Sequence, residues 1–122
     1  MYKVFIVEDH VAIRQSYILL LTRMGNLQVC GEATSAEEAL AKIPVAAPDI
    51  VLIDFSLPGM SGLDLVQQLQ RKSPELPMIV ISGHNENVFA NSVVAAGAAS
   101  YLVKEEAPAR LVETIYQVLQ HQ

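Results

Sequence analysis

Five short runs rich in apolar and β-branched residues recur along the chain, at Lys3 to Val7, Leu27 to Glu32, Ile50 to Ile53, Met78 to Ile81 and Ser100 to Val103. Each is followed by a stretch whose apolar residues fall at helical spacing. Strict β-then-α succession admits few arrangements, because a crossover between parallel strands is right-handed and lays its helix on a face of the sheet. The chain is therefore expected to be an α/β, doubly wound domain, a parallel sheet covered on both faces. Its 122 residues give room for one such domain with a sizeable core, and not for two.

The helical stretches carry their own punctuation. The first places Ile13, Tyr17, Leu20, Leu21 and Met24 on one face and stops at Gly25-Asn26. Ser35 with Glu38 three residues on reads as a capping box for the second, which Pro44 is expected to close. Ser61-Gly62-Leu63-Asp64 repeats that logic for the third. The fourth uses poor helix formers, Asn87, Asn91 and Ser92, and runs out at Ala95-Ala96-Gly97-Ala98, which suits a segment that moves. The last has Pro108 in its first turn and Leu111, Ile115, Val118 and Leu119 along one side.

Composition excludes several classes. A formal charge of −5 with eight scattered basic residues argues against a nucleic-acid surface, which needs clustered Lys and Arg. The single Cys30 cannot form an internal disulfide; a free buried thiol in a reducing compartment is expected. No basic leader precedes an apolar core and no apolar run approaches about 20 residues, so neither a secretion signal nor a membrane span is expected, and the protein reads as cytoplasmic.

In doubly wound sheets ligands gather at the carboxyl ends of the strands. The stretch DIVLIDFSLPG puts Asp54 directly after an apolar run and just before the turn signal Leu57-Pro58-Gly59, so its carboxylate emerges at that rim. The first strand ends in Glu8-Asp9, the fourth in Ser82-Gly83 and the fifth in Lys104. If the first and third strands are neighbours, three carboxylates converge. They would repel one another and draw a hard divalent cation, Mg²⁺ being best suited to oxygen ligands with open water positions. Lys104 would face them as a fixed positive charge and Ser82 as a hydroxyl donor, a constellation for phosphoryl chemistry.

Each residue also has a plainer reading. Asp54 alone could cap a helix, and one of Glu8 and Asp9 could do so, though hardly both. Ser82-Gly83 is ordinary turn chemistry and Tyr101 could simply pack. His10 and His84 lie in no zinc-like spacing, and His10 is expected to orient its loop or face solvent.

Taken together, VEDH after the first strand, DFSLPGMSGLDL around Asp54, ISG after the fourth and GAASYLVK at the fifth resemble the response-regulator receiver domain of two-component signalling. The resemblance covers essentially all 122 residues and is closest to receivers of the NarL/FixJ class. It implies a flavodoxin-like (βα)5 fold with the five strands in order 2-1-3-4-5. Residues 1–122 would form one receiver with no output domain, where the class usually carries a helix-turn-helix DNA-binding domain.

The resemblance also assigns roles. Asp54 would accept a phosphoryl group from a sensor histidine kinase or phosphotransfer protein. Mg²⁺ would be held by Asp9 and Asp54 directly, by Glu8 through water and by the carbonyl of Ser56. Lys104 and Ser82 would contact the phosphoryl group, and Tyr101 would turn inward as the switch. Such a domain catalyses only its own phosphorylation and dephosphorylation and controls an output domain or partner, typically in transcription; homodimerisation on phosphorylation fits the family. It binds neither nucleic acid nor membrane itself. In receivers the positions of Ser56 and His84 influence how long the aspartyl phosphate survives.

Three positions depart from the commonest pattern: Glu8 for Asp, Ser82 for Thr, and Glu105 for the proline that often follows the lysine. A cis peptide after Lys104 would therefore cost about 3 kcal/mol. Two rivals remain. An aspartate-nucleophile phosphohydrolase commonly needs a second acid two residues after the nucleophile, where this chain has Ser56. A flavodoxin-like cofactor binder needs a Ser/Thr/Gly-rich phosphate loop after the first strand, where this chain reads EDHVAIRQ.

Overall fold

The computed structural model describes residues 1–83 and 87–121. Strands β1 (Tyr2–Val7), β2 (Leu27–Ala33), β3 (Ile50–Asp54), β4 (Met78–Ser82) and β5 (Ser100–Val103) alternate with helices α1 (Val11–Thr22), α2 (Ala36–Ala46), α3 (Gly62–Lys72), α4 (Asn87–Ala96) and α5 (Ala107–Gln120). The strands pair in parallel in the order β2-β1-β3-β4-β5. This is the expected α/β, flavodoxin-like doubly wound (βα)5 arrangement.

Both faces of the sheet are covered, so every residue of β3 and β4 is buried and these strands read as unbroken apolar runs. The strand period of two divides their side chains between two cores. Phe5, Val7, Val51, Ile53 and Val80 pack with residues of α2 and α3 such as Ala39, Ile43, Leu65 and Leu69. Val4, Ile6, Leu52, Ile79 and Ile81 pack on the other side with Tyr17 and Leu21 of α1 and Leu111 and Ile115 of α5. Ile53 and Ile81 flank the strand tips and are almost fully buried; truncating either to alanine would cost about 2–5 kcal/mol. No helix among the described residues is long and apolar enough to cross a membrane.

Local signals hold with three corrections. Ser35 and Ser61 cap α2 and α3, each hydroxyl accepting the N–H three residues on. The return half of the α2 box differs, because the Glu38 carboxylate accepts the N–H and hydroxyl of Thr34 and pairs with Lys42 at 2.7 Å. Pro44 does not close α2, which runs on to Ala46. In the last turn a proline forfeits a single bond, to the Leu40 carbonyl. The stop comes from Ala47, whose backbone is left-handed (φ 49°) and whose N–H bonds the Ile43 carbonyl at 2.9 Å. Cys30 is half-buried where full burial was expected. The β1–β2 register shifts between Val4 and Phe5, which pair with Val29 and Gly31 and leave Cys30 as the extra residue.

Candidate functional site

Register brings the strand tips level. Val7 lies beside Ile53, Asp54 beside Ile81 and Ser82 beside Val103, so the residues that follow or end these strands meet at one rim. Helix α3 begins directly against the tip of β3. The Gly62 N–H bonds the Phe55 carbonyl at 3.1 Å, and a Cβ at Gly62 would stand 2.5 Å from the Asp54 carbonyl oxygen. Only glycine allows that approach.

Glu8 and Asp54 are buried at the rim, 1% and 2% exposed, and Asp9 beside them is partly open. Lys104 Nζ stands 3.4 Å from Asp54 Oδ1 and 3.8 Å from Glu8 Oε1. The Ser56 N–H donates to Asp54 Oδ1 at 3.1 Å. Glu8 Oε2 accepts the His10 N–H at 3.1 Å and lies 3.0 Å from His10 Nδ1, which is also 3.4 Å from Asp9 Oδ1. One oxygen of each acid, Glu8 Oε1, Asp9 Oδ1 and Asp54 Oδ2, is buried with no hydrogen-bond donor among the described residues.

The electrostatics follow from that crowding. Burial, then the adjoining Asp54 carboxyl, raises the Glu8 carboxyl from its ordinary value, against the lowering effect of His10. The bond to Glu8 and the charges of Asp9 and Glu8 raise the His10 imidazole. Tyr17, on the α1 face beneath the acids, is pushed up to about 12 by burial and by the charges of Glu8 and Asp54. Buried carboxylates short of donors are costly, and one lysine does not balance three acids. Donor atoms of Glu8, Asp9, His10 and Asp54 all lie within 4.8 Å of one another. Orphaned carboxylate oxygens clustered at that spacing fit a hard divalent cation such as Mg²⁺.

The structure thus brings together Glu8, Asp9, Asp54 and Lys104. Ser82 is fully buried at the tip of β4, and its carbonyl accepts the Lys104 N–H at 2.7 Å, tying the β4 and β5 ends together. Ser56 is exposed and meets Asp54 through its N–H. Tyr101, beside Val80 in register, is half-buried against the same core cluster as Phe55. His84 lies outside the described residues. Neither Glu8 nor Asp9 caps α1, whose N-cap is His10 with no side-chain bond.

Two features had not been expected. Arg14 donates to the Glu8 carbonyl at 2.8 Å and to Glu32 at 2.7 Å, bracing the loop that carries the acids. Phe55, next to Asp54, meets Phe89 in the first turn of α4 edge-on, with ring centroids 5.4 Å apart at 77°. The rim is thereby in direct contact with the fourth helix.

Comparison with known proteins agrees with this geometry. Residues 4–116 match the model of the response regulator receiver domain. The response regulator GacA of Pseudomonas syringae pv. syringae is 35% identical over 115 residues, covering 94% of this chain and 54% of that protein. UvrY of Escherichia coli is 35% identical over 118 residues, covering 97% and 54%. The chain thus spans about half the length of these curated relatives. Among solved structures, a LuxR-family response regulator from Aurantimonas sp. superposes with a TM-score of 0.95 at 30% identity, covering 100% of this chain and 87% of that one. The NarL signal receiver domain of Mycobacterium tuberculosis gives 0.92 at 26% identity, covering 99% and 98%. With the match to the family model spanning nearly its whole length, the chain belongs to the response-regulator receiver domains of two-component signalling.

Proposed function

We propose that this receiver works in the cytoplasm and takes a phosphoryl group onto Asp54 from the phosphohistidine of a sensor histidine kinase or phosphotransfer protein. The observation that carries this is the state of Asp54: buried, one oxygen held by the Ser56 N–H, the other without a donor among the described residues, and a lysine ammonium 3.4 Å away. A carboxylate so held is a competent phosphoryl acceptor. Its oxygen attacks phosphorus, a P–O bond forms as the P–N bond to the donor histidine breaks, and the imidazole leaves with the electron pair.

Asp9 and Asp54, with Glu8 through water and the Ser56 carbonyl, would hold Mg²⁺, which when bound neutralises charge on the transferring group. Lys104 supplies the fixed positive charge on the other side. The new phosphoryl oxygens would draw in the Ser82 hydroxyl and the Lys104 amine and bias the β4–α4 and β5–α5 loops, with Tyr101 turning inward. The Phe55–Phe89 contact offers α4 a direct sense of the Asp54 loop. The output, through a further domain or partner, is control of transcription; homodimerisation on phosphorylation is compatible and not needed for the chemistry. Such a domain is modified once per cycle and is not a turnover enzyme.

Intact-mass measurement after treatment with a small phosphodonor and Mg²⁺ tests the proposal. One phosphoryl adduct is expected on the wild type and none on Asp54→Asn. Repeated turnover without a stable adduct would favour a phosphohydrolase instead. Substituting Ser56 or His84 is expected to change the adduct's lifetime several-fold without preventing its formation; unchanged decay in both variants would remove them from the mechanism.

A further inference from the structure

His10 follows the two acids directly, and its ring does not turn away from them. Although the side chain is 57% exposed, Nδ1 stands 3.0 Å from Glu8 Oε2 and 3.4 Å from Asp9 Oδ1. The residue's own N–H donates to the same Glu8 oxygen at 3.1 Å, which fixes the root of the side chain beside the acid pair. One donor atom each from Glu8, Asp9, His10 and Asp54 lies within 4.8 Å of the other three. An ion with six ligands at about 2.1–2.2 Å sets opposite ligands roughly 4.2–4.4 Å apart, so these four atoms need close by only a few tenths of an ångström to share one. Glu8 Oε1 and Asp54 Oδ2, both buried and without donors, face the same need.

We propose that His10 Nδ1 is a fourth protein ligand of this site and makes it favour first-row ions such as Mn²⁺ and Co²⁺ over Mg²⁺. The inference rests on the phosphoacceptor reading of the acid cluster and adds the residue that sets its metal preference. An all-oxygen site suits Mg²⁺, which dehydrates reluctantly and prefers hard ligands. An imidazole nitrogen adds little for Mg²⁺ and a strong bond for cations further along the first row. The ring's exposure leaves it free to swing the short distance required, and the bond from the residue's own N–H to Glu8 Oε2 limits where it can go; the ion would replace the proton that Nδ1 shares with Glu8 Oε2, which passes to solvent.

Calorimetric titration of wild type and His10→Ala with Mg²⁺ and with Co²⁺ is the test. His10→Ala is expected to lose about 10–100-fold in Co²⁺ affinity, the range typical of a lost supporting group at a metal site, while Mg²⁺ affinity moves less than about threefold. Co²⁺ should also give hyperfine-shifted imidazole resonances that vanish in His10→Ala and persist in His121→Ala, whose ring is at the far end of α5. A residue that merely braces the loop would weaken both ions alike and give no such resonances. Equal losses for the two ions, or an unchanged Co²⁺ affinity, would overturn the assignment of His10 while leaving the phosphoacceptor site intact. Failure of the wild type to bind either ion would overturn both.

Discussion

Two aspartates bracket β3, and they have opposite fates. Asp49, at its start, is exposed; its carboxylate accepts the Lys3 N–H at 2.7 Å while its own N–H bonds the Lys3 carbonyl at 2.8 Å. That closed pair fastens the start of β3 to β1 and leaves the acid committed to the backbone. Asp54, at the other end, is buried with one oxygen lacking a donor among the described residues and with two more acids beside it. The amino-terminal rim uses its charge to hold the fold, and the carboxyl-terminal rim holds charge that the fold does not satisfy. What sets the proposed acceptor apart from the structural aspartate is unmet hydrogen-bonding capacity in a buried place, not residue type.

The largest break in this comparison comes from exchanging which aspartate is removed. Asp49→Ala should lose about 1 kcal/mol of stability, the usual worth of a hydrogen bond, and keep the full phosphoryl adduct seen by intact mass. Asp54→Asn should lose the adduct entirely. If Asp49→Ala abolishes the adduct in a folded protein, the division between the rims is wrong.

Next in size is Gly62→Ala. Its new Cβ would fall 2.5 Å from the Asp54 carbonyl and 2.8 Å from Phe55 Cα, so α3 or the acid's loop must move. A loss of about 2–3 kcal/mol in chemical denaturation is expected, with slower phosphorylation. Gly25→Ala, with nothing within 4 Å, should stay within about 0.5 kcal/mol.

Smaller, and opposite in sign, is Glu8→Gln. Burial and the neighbouring Asp54 carboxyl raise the folded Glu8 pKa. Its stabilising contribution is therefore fully present below the unfolded value of 4.5 and is lost as pH rises through the raised folded value. At neutral pH the metal-free domain carries that cost, so Glu8→Gln should melt a few degrees higher, ~1 kcal/mol being worth about 4 °C in a domain of this size. The gain should shrink as pH falls towards 4. A lower melting point at pH 7 would mean that Glu8 is satisfied after all.

Much of this was legible in the chain because the signals are local or periodic. Buried parallel strands announce themselves as apolar runs, and Ser35 and Ser61 mark helix starts through bonds spanning three residues. The strand-end acids and Lys104 stand out because charge directly after an apolar run needs a reason. Less legible features depend on tertiary pairing. Arg14 meets Glu32 only because β1 lies beside β2, and Phe89 meets Phe55 only once α4 is laid beside β3's exit. Pro44 misled because its effect depends on position within the turn, and Cys30 because a bulge is invisible to alternation. The sequence leads one to expect His10 to orient its loop or face solvent, and it does both while also touching two acids.

Three carboxylates at one rim should repel one another until a shared cation joins them, and melting with and without Mg²⁺ reads that repulsion. At about a hundredfold excess over its dissociation constant, an ion bound by the folded state alone adds about 2.7 kcal/mol. The wild type should therefore melt several degrees higher in millimolar Mg²⁺, with the shift largely abolished in Asp54→Asn and retained in Asp49→Ala. No shift in the wild type, or an equal shift in Asp54→Asn, would mean that these acids share no cation.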